Sequence, residues 1–440
     1  MKYVLRHATI LTMDESMTVI ENGALAFDGD TLVYVGKDAE LPSSLLATCD
    51  EVVDLADALI LPTFINAHTH MGMIAFRSLG DDSPDRLRRF LLPLENACMN
   101  EELAVASSRL AIAEMLLAGI GSAVDMYYFE DAVAKVAKEM GFRLWAGETL
   151  MEDPHCDARN GREGLKKAVR LIEQYCDDPL ITPIIAPHAP YSNSLSVLKE
   201  AQALAHEYGL LWTMHLSEMD FEMEKYAKEY GLSPIGFLEK EHLLDSSLLA
   251  AHCIHTSDED IALLAKNGTK VIHCPGANLK SAKGIARCPR MRQEGVLVGL
   301  GTDGPASGNT LEVFTQMKLY AILHKNVLKD RTAIPASSVV PLCTSEAAKV
   351  LHAEKNIGSL VVGKKADILV LELESPNMIP CFDPYSVIVY SSGVQNVQHV
   401  FVNGRWLVRD HELRDVSLTW LREEFFRVAQ PFFEEAKKRS

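Results

Sequence analysis

Between about residue 59 and residue 304 the sequence alternates short apolar runs with stretches of helical periodicity such as Glu101 to Ala118 and Glu130 to Met140. That is the pattern of repeated βα units, in which a parallel sheet is buried under helices. Eight runs qualify as strands, ending near His70, Asp125 to Tyr127, Glu148 to Leu150, His188, His215, His252, His273 and Asp303. Almost every end carries a residue that ligates a metal or titrates. In a (β/α)8 barrel the reactive groups stand at the C-terminal strand ends, whereas a chance distribution would scatter them along the helices. The expected fold class is α/β, a TIM-like (β/α)8 barrel, and 440 residues leave room for one small extra domain.

That extra domain is expected from both ends of the chain. Tyr3-Val4-Leu5, Gly23 to Phe27 and Leu32 to Gly36 are short strand-like runs, the last two joined by the turn signal Asp28-Gly29-Asp30. The texture returns in Ala366 to Leu371 and in Val400 to Val408, the latter folded at Asn403-Gly404. The expected division is a β-sandwich from 1–58 with 359–412, a barrel over 59–358, and a C-terminal helix over 413–440. In the last, Leu418, Leu421, Phe425, Val428 and Phe432 recur at helical spacing, a packing face and a candidate subunit interface.

The first barrel run, Leu61 to His70, ends in His68-Thr69-His70. Residues i and i+2 of a strand share a side, so His68 and His70 present two imidazoles to one point. The fifth run brings His215, with Glu218 three residues on, and the eighth brings Asp303 among Gly299, Gly301 and Gly304. Three neutral imidazoles and a carboxylate suit Zn2+ or Fe2+ with a position left for water. The expected ligands of one divalent ion, Zn2+ first, are His68, His70, His215 and Asp303. Binuclear sites of this kind need a bridging lysine on strand four, and Ile181 to Ser194 contains none. His252 either ligates or hydrogen-bonds the bound water, the second being preferred. Glu218 is expected to move protons between water and substrate. Catalysis is assigned to Glu218, His252 and Asp303. His188 is expected to contact substrate, a neutral structural histidine being the other reading; His273 and His255 are read as structural.

A formal net charge of −17 argues against nucleic-acid polymers or anionic membranes as partners. The first twenty residues lack the apolar core of a signal peptide. Nine cysteines without a C-x-x-C pair fit reduced thiols, and a cytoplasmic location is expected.

The chain resembles the amidohydrolase superfamily, and within it the 5-methylthioadenosine/S-adenosylhomocysteine deaminases and their chlorohydrolase relatives. The resemblance rests on Asn66-Ala67-His68-Thr69-His70, His215-Leu216-Ser217-Glu218, Ala251-His252, His273-Cys274-Pro275, Gly301 to Ser307 and Ile357 to Asp367. It implies attack of metal-bound hydroxide on the carbon bearing an exocyclic amine, protonation of the adjacent ring nitrogen by Glu218, and loss of ammonia. The implied substrate is a small heteroaromatic amine, an adenosine-type thioether first. A free purine, pterin or triazine, or a chlorinated ring, is the alternative, and a barrel that only binds is the remote one. Where such enzymes carry a Glu-Trp-Leu segment against the ribose, this chain reads Asp85 to Glu95 without Trp, and Ala277 replaces the first residue of Ser-Asn-x-Lys. Glu95 is an expected substrate contact beside His188, with Arg143 and, as a second arginine, Arg159 or Arg162 toward an amino-acid end; a solvated surface arginine reads equally well at these positions. A homo-oligomer is also implied.

Overall fold

The computed structural model describes residues 1–84 and 86–439, so that Asp85 of the segment singled out above lies outside the described residues. Eight parallel strands run in sequence order around one sheet: Phe64–Thr69, Ile120–Tyr127, Arg143–Leu150, Ile181–Pro187, Trp212–Leu216, Leu248–His252, Lys270–His273 and Val298–Leu300. The last returns beside the first. There the backbone N–H of Asp303 donates to His68 O at 3.0 Å, and Asn66 joins Thr302 through both its amide oxygen (3.0 Å) and its amide nitrogen (2.7 Å). Gly301 makes this closure possible, because a Cβ there would lie 2.9 Å from the His68 backbone.

Helices cover the outside, among them Glu101–Leu117 and Glu130–Met140 as the periodicity requires. Asn100 caps the first by accepting from Leu103 N, and Gly141 ends the second in the left-handed region. Ile65, Ala67, Val124, Ile184, Leu249 and Ile272, drawn from five strands, form the apolar filling of the barrel. Alternate residues of those strands face the helix layer.

The terminal segments build one continuous mixed sheet of nine strands. Its path runs from Glu412–Leu413 through Arg405–Arg409, Val397–Val402, Ile368–Glu372, Ala58–Pro62, Lys2–Leu11 and Val19–Asp28 to Thr31–Lys37, with Glu51–Asp54 added beside Lys2–Leu11. The two halves of the expected sandwich are thus one sheet curled over, so that Tyr3 meets Phe401 from three strands away and Trp406 from four (ring centroids 5.8 Å in both cases). Both hairpins form, with Gly29, Asn403 and Gly404 at positive φ.

Two boundaries differ from expectation. Ala58–Pro62 pairs antiparallel with Ile368–Glu372, so the terminal sheet extends four residues past 58 and the barrel starts after Thr63. An apolar strand reads alike in either sheet; only its partner decides. The final helix starts at Leu418, the residues before it finishing the sheet. Leu421, Phe425 and Phe432 are buried, Phe432 against Phe76 at 4.6 Å, whereas Leu418 is exposed. Among the described residues no helix is long and apolar enough to cross a membrane, and all nine cysteines are free.

Candidate active site

The mouth of the barrel collects the residues of four strand ends. His70 Nε2 lies 3.3 Å from Asp303 Oδ1 and 3.3 Å from His215 Nε2, and the His68 ring stands 4.8 Å from His70 and 5.0 Å from His215. The ligand atoms of His68, His70 and Asp303 lie within 4.8 Å of one another, as do those of His68, His215 and His252. His252 therefore stands as close to the cluster as the expected ligands.

The backbone aims these rings. His70 Nδ1–H donates to Met126 O at 2.5 Å and His215 Nδ1–H to His188 O at 2.9 Å, which leaves both Nε2 atoms facing inward. His252 Nδ1 is held by the Asn278 side-chain amide at 2.8 Å. Such outer partners fix tautomer and ring orientation in metal sites. Ser217, His252, Cys253 and Asp303 all adopt positive φ, conformations that non-glycine residues rarely take and that gather where a site over-determines the backbone.

One observation tests whether a cation fits. His68 is fully buried, yet neither of its ring nitrogens has a hydrogen-bond partner. A buried orphaned imidazole costs stability unless a ligand takes its lone pair, and a cluster of neutral imidazoles with one carboxylate is the donor set that a divalent ion takes. Burial, then the charge of His70, pushes His68 well below its usual range. Burial opposes protonation of His70 too, but its bond to Asp303 prevails and raises it to about 9.

Glu218 sits at the edge of this set, Oε1 being 3.6 Å from His252 Nε2 and 2.5 Å from Lys283 Nζ. Burial favours the neutral acid, but His252 and then Lys283 outweigh it and hold the carboxyl below its ordinary value. Lys283, the Asn278 partner of His252 and Glu222, whose carboxylate accepts the backbone N–H of Glu218 at 3.0 Å, are the site residues that sequence reading missed. Lys280, the lysine at the end of Ala277-Asn278-Leu279-Lys280, pairs with Asp81 at 2.9 Å outside the cavity.

The cavity over the cluster is lined by Met73, Leu91, Met126, Tyr128, Met151 and Met219 as well as by the polar residues. Leu87, Leu91, Leu92 and Glu95 line it too, so the segment without Trp still builds a wall. Glu95 is buried and accepts from Tyr127 Oη at 2.7 Å; burial raises it to about 7. His188 also lines the cavity, its Nδ1 2.9 Å from Ser192 Oγ, and burial lowers it to about 4, so the ring is neutral.

The two arginines are elsewhere. Arg143 is the first residue of the third strand, at the opposite end of the barrel, where Nε and Nη2 donate to Asp367 at 3.1 and 3.2 Å and Nη1 donates to Pro179 O at 2.9 Å. Arg159 is exposed beside the cap of Gly161–Tyr175 and does not line the cavity. His255 lies 3.5 Å from Asp220, and His273 faces the outer helices; neither lines the cavity.

A barrel of this topology with a histidine–aspartate cluster at its mouth defines a class, and the amidohydrolase family model matches residues 59–407. The chain belongs to the amidohydrolase family, metal-dependent hydrolases that act here on C–N bonds. It is 37% identical over 432 residues, 98% of this chain and 97% of the relative, to 5-methylthioadenosine/S-adenosylhomocysteine deaminase 1 of Syntrophus aciditrophicus (strain SB). The corresponding deaminase of Syntrophobacter fumaroxidans is 35% identical, covering 97% of each chain. Among solved structures, an adenosine deaminase from Xanthomonas campestris with bound zinc superposes with a TM-score of 0.94 at 30% identity, covering 98% of both chains.

Proposed function

We propose that this protein hydrolytically deaminates an adenosine-type nucleoside whose ribose carries a thioether, releasing ammonia and the corresponding oxo-nucleoside. The observation that carries the reading is Glu218, an ionised carboxylate at the lip of the histidine–aspartate cluster, within reach of any ring bound above it. A single divalent ion held by His68, His70, His215 and Asp303, Zn2+ by donor set, would acidify a water and so supply the nucleophile at neutral pH.

The chain's own groups do the rest. Glu218 takes a proton from the water and delivers it to the ring nitrogen next to the amine-bearing carbon. His252 Nε2, between the carboxylates of Glu218 (3.6 Å) and Asp303 (4.0 Å), orients the attacking oxygen. As the C–O bond forms, the C–N bond breaks and the amine leaves as ammonia with the second proton. Glu95 accepts hydrogen bonds from ribose hydroxyls, and the methionine-rich wall accommodates sulfur and its substituent. Among the described lining residues Lys283 is the one lysine or arginine, and it is engaged by Glu218. This supports an uncharged thioether, 5-methylthioadenosine, over S-adenosylhomocysteine with its amino-acid end.

Ammonia release by metal-loaded protein across both thioethers, adenosine, guanine, pterins and amino-triazines tests the reading, with Glu218→Gln as blank. Preference for 5-methylthioadenosine is expected. Turnover confined to free bases or triazines would overturn the substrate while leaving the chemistry standing.

A further inference from the structure

A second histidine cluster lies behind the barrel wall. Ile272 belongs to the apolar filling of the barrel, so the next residue, His273, turns into the helix layer. There it meets His324 on the helix Val313–Leu328 and Cys288, the first residue of Cys288–Gln293. The ligand atoms of His273, Cys288 and His324 all lie within 4.8 Å of one another. Their exposures are 1%, 0% and 2%.

What sets this trio apart is its missing partners. Both ring nitrogens of His273 and Nε2 of His324 are buried without a hydrogen bond. Tyr320 closes the cluster edge-on, its ring 4.7 Å from His324 and 6.1 Å from His273, and its buried hydroxyl bonds to neither histidine. Buried polar groups in folded proteins are almost always satisfied, so an unsatisfied pair of imidazoles around a thiol calls for an occupant. Arg292, on the same short helix as Cys288, is bound to Glu346 at 2.8 Å.

We propose that His273, Cys288 and His324 form a second metal site, distinct from the one at the barrel mouth, that takes a borderline-soft divalent cation such as Zn2+ through two imidazole nitrogens and a thiolate. Binding releases the thiol proton to solvent and forms the metal–sulfur bond. Two nitrogens and one sulfur leave a fourth tetrahedral position to water. The ion ties the seventh strand to two outer helices, and its role is structural.

The two sites differ in donor type, which makes the proposal testable without reference to turnover. Only this one contains sulfur. Protein produced in zinc-supplemented medium is expected to hold two equivalents of metal per chain, and protein produced with Co2+ is expected to show thiolate-to-cobalt charge-transfer absorption in the near ultraviolet. Cys288→Ser and, independently, His324→Gln should each lose that absorption and one equivalent, while keeping the other equivalent and ammonia release. One equivalent in the wild-type chain with no thiolate band overturns the proposal. So does a band that survives both substitutions, because another cysteine would then be its source.

Discussion

Each oxygen of the Glu222 carboxylate accepts one backbone N–H from the turn that carries Glu218, from Ser217 and from Glu218 itself, both at 3.0 Å. Glu222 is fully buried at the start of the helix Asp220–Tyr230, so the side chain proposed to carry the proton is aimed by a second carboxylate that does not line the cavity. Removing that clamp frees the turn, in which Ser217 holds a positive φ. Glu222→Ala should lower kcat about 10- to 100-fold with metal content unchanged, since a supporting group costs that much when lost. Steady-state kinetics beside metal analysis checks it; a variant that loses its metal would place Glu222 among the ligand supports instead.

Glu218→Gln keeps the shape of the site and removes the proposed proton carrier. Turnover should fall about 10²- to 10⁴-fold while the bound metal stays. Full activity in this variant would mean that another group moves the proton.

Lys283 holds Glu218 charged, after His252 the largest influence doing so. With Lys283→Met the carboxyl loses that attraction and its pKa rises. The base form is then lost at a higher pH as the solution is acidified. The acid limb of the kcat/KM profile should shift upward, with the plateau less affected. A limb that does not move would separate Lys283 from the protonation of Glu218.

Asp303→Ala removes the only carboxylate of the cluster and leaves imidazoles alone to bind the cation. The variant should lose the metal at the barrel mouth, one equivalent by elemental analysis, together with ammonia release. Retention of that equivalent would take Asp303 out of the ligand set.

Arg143 joins the barrel to the terminal sheet, its guanidinium 9% and the Asp367 carboxylate 2% exposed. Arg143→Met leaves Asp367 buried without its partner, and unfolding in denaturant should show a loss of about 3 kcal/mol. KM of the folded variant should be unchanged. Unchanged stability with a raised KM would return Arg143 to the substrate.

The histidine–aspartate cluster could be read from the sequence because a wound βα barrel has no choice about it. Once the runs ending at His68-Thr69-His70, His215, His252 and Asp303 are parallel strands in order, their C-terminal ends converge on one mouth. The place of Arg143 at the start of a strand is legible in the same way, since that end of the barrel faces away from the mouth. Tertiary structure alone decided the rest. The sheet to which Ala58–Pro62 belongs depends on a partner more than three hundred residues away. Lys283 reaches Glu218 and Lys280 does not, because the path of a loop sets direction and spacing has no period there to report it. The meeting of His273, Cys288 and His324 is of the same kind: three elements packed in one layer bring together residues whose separations along the chain carry no signal.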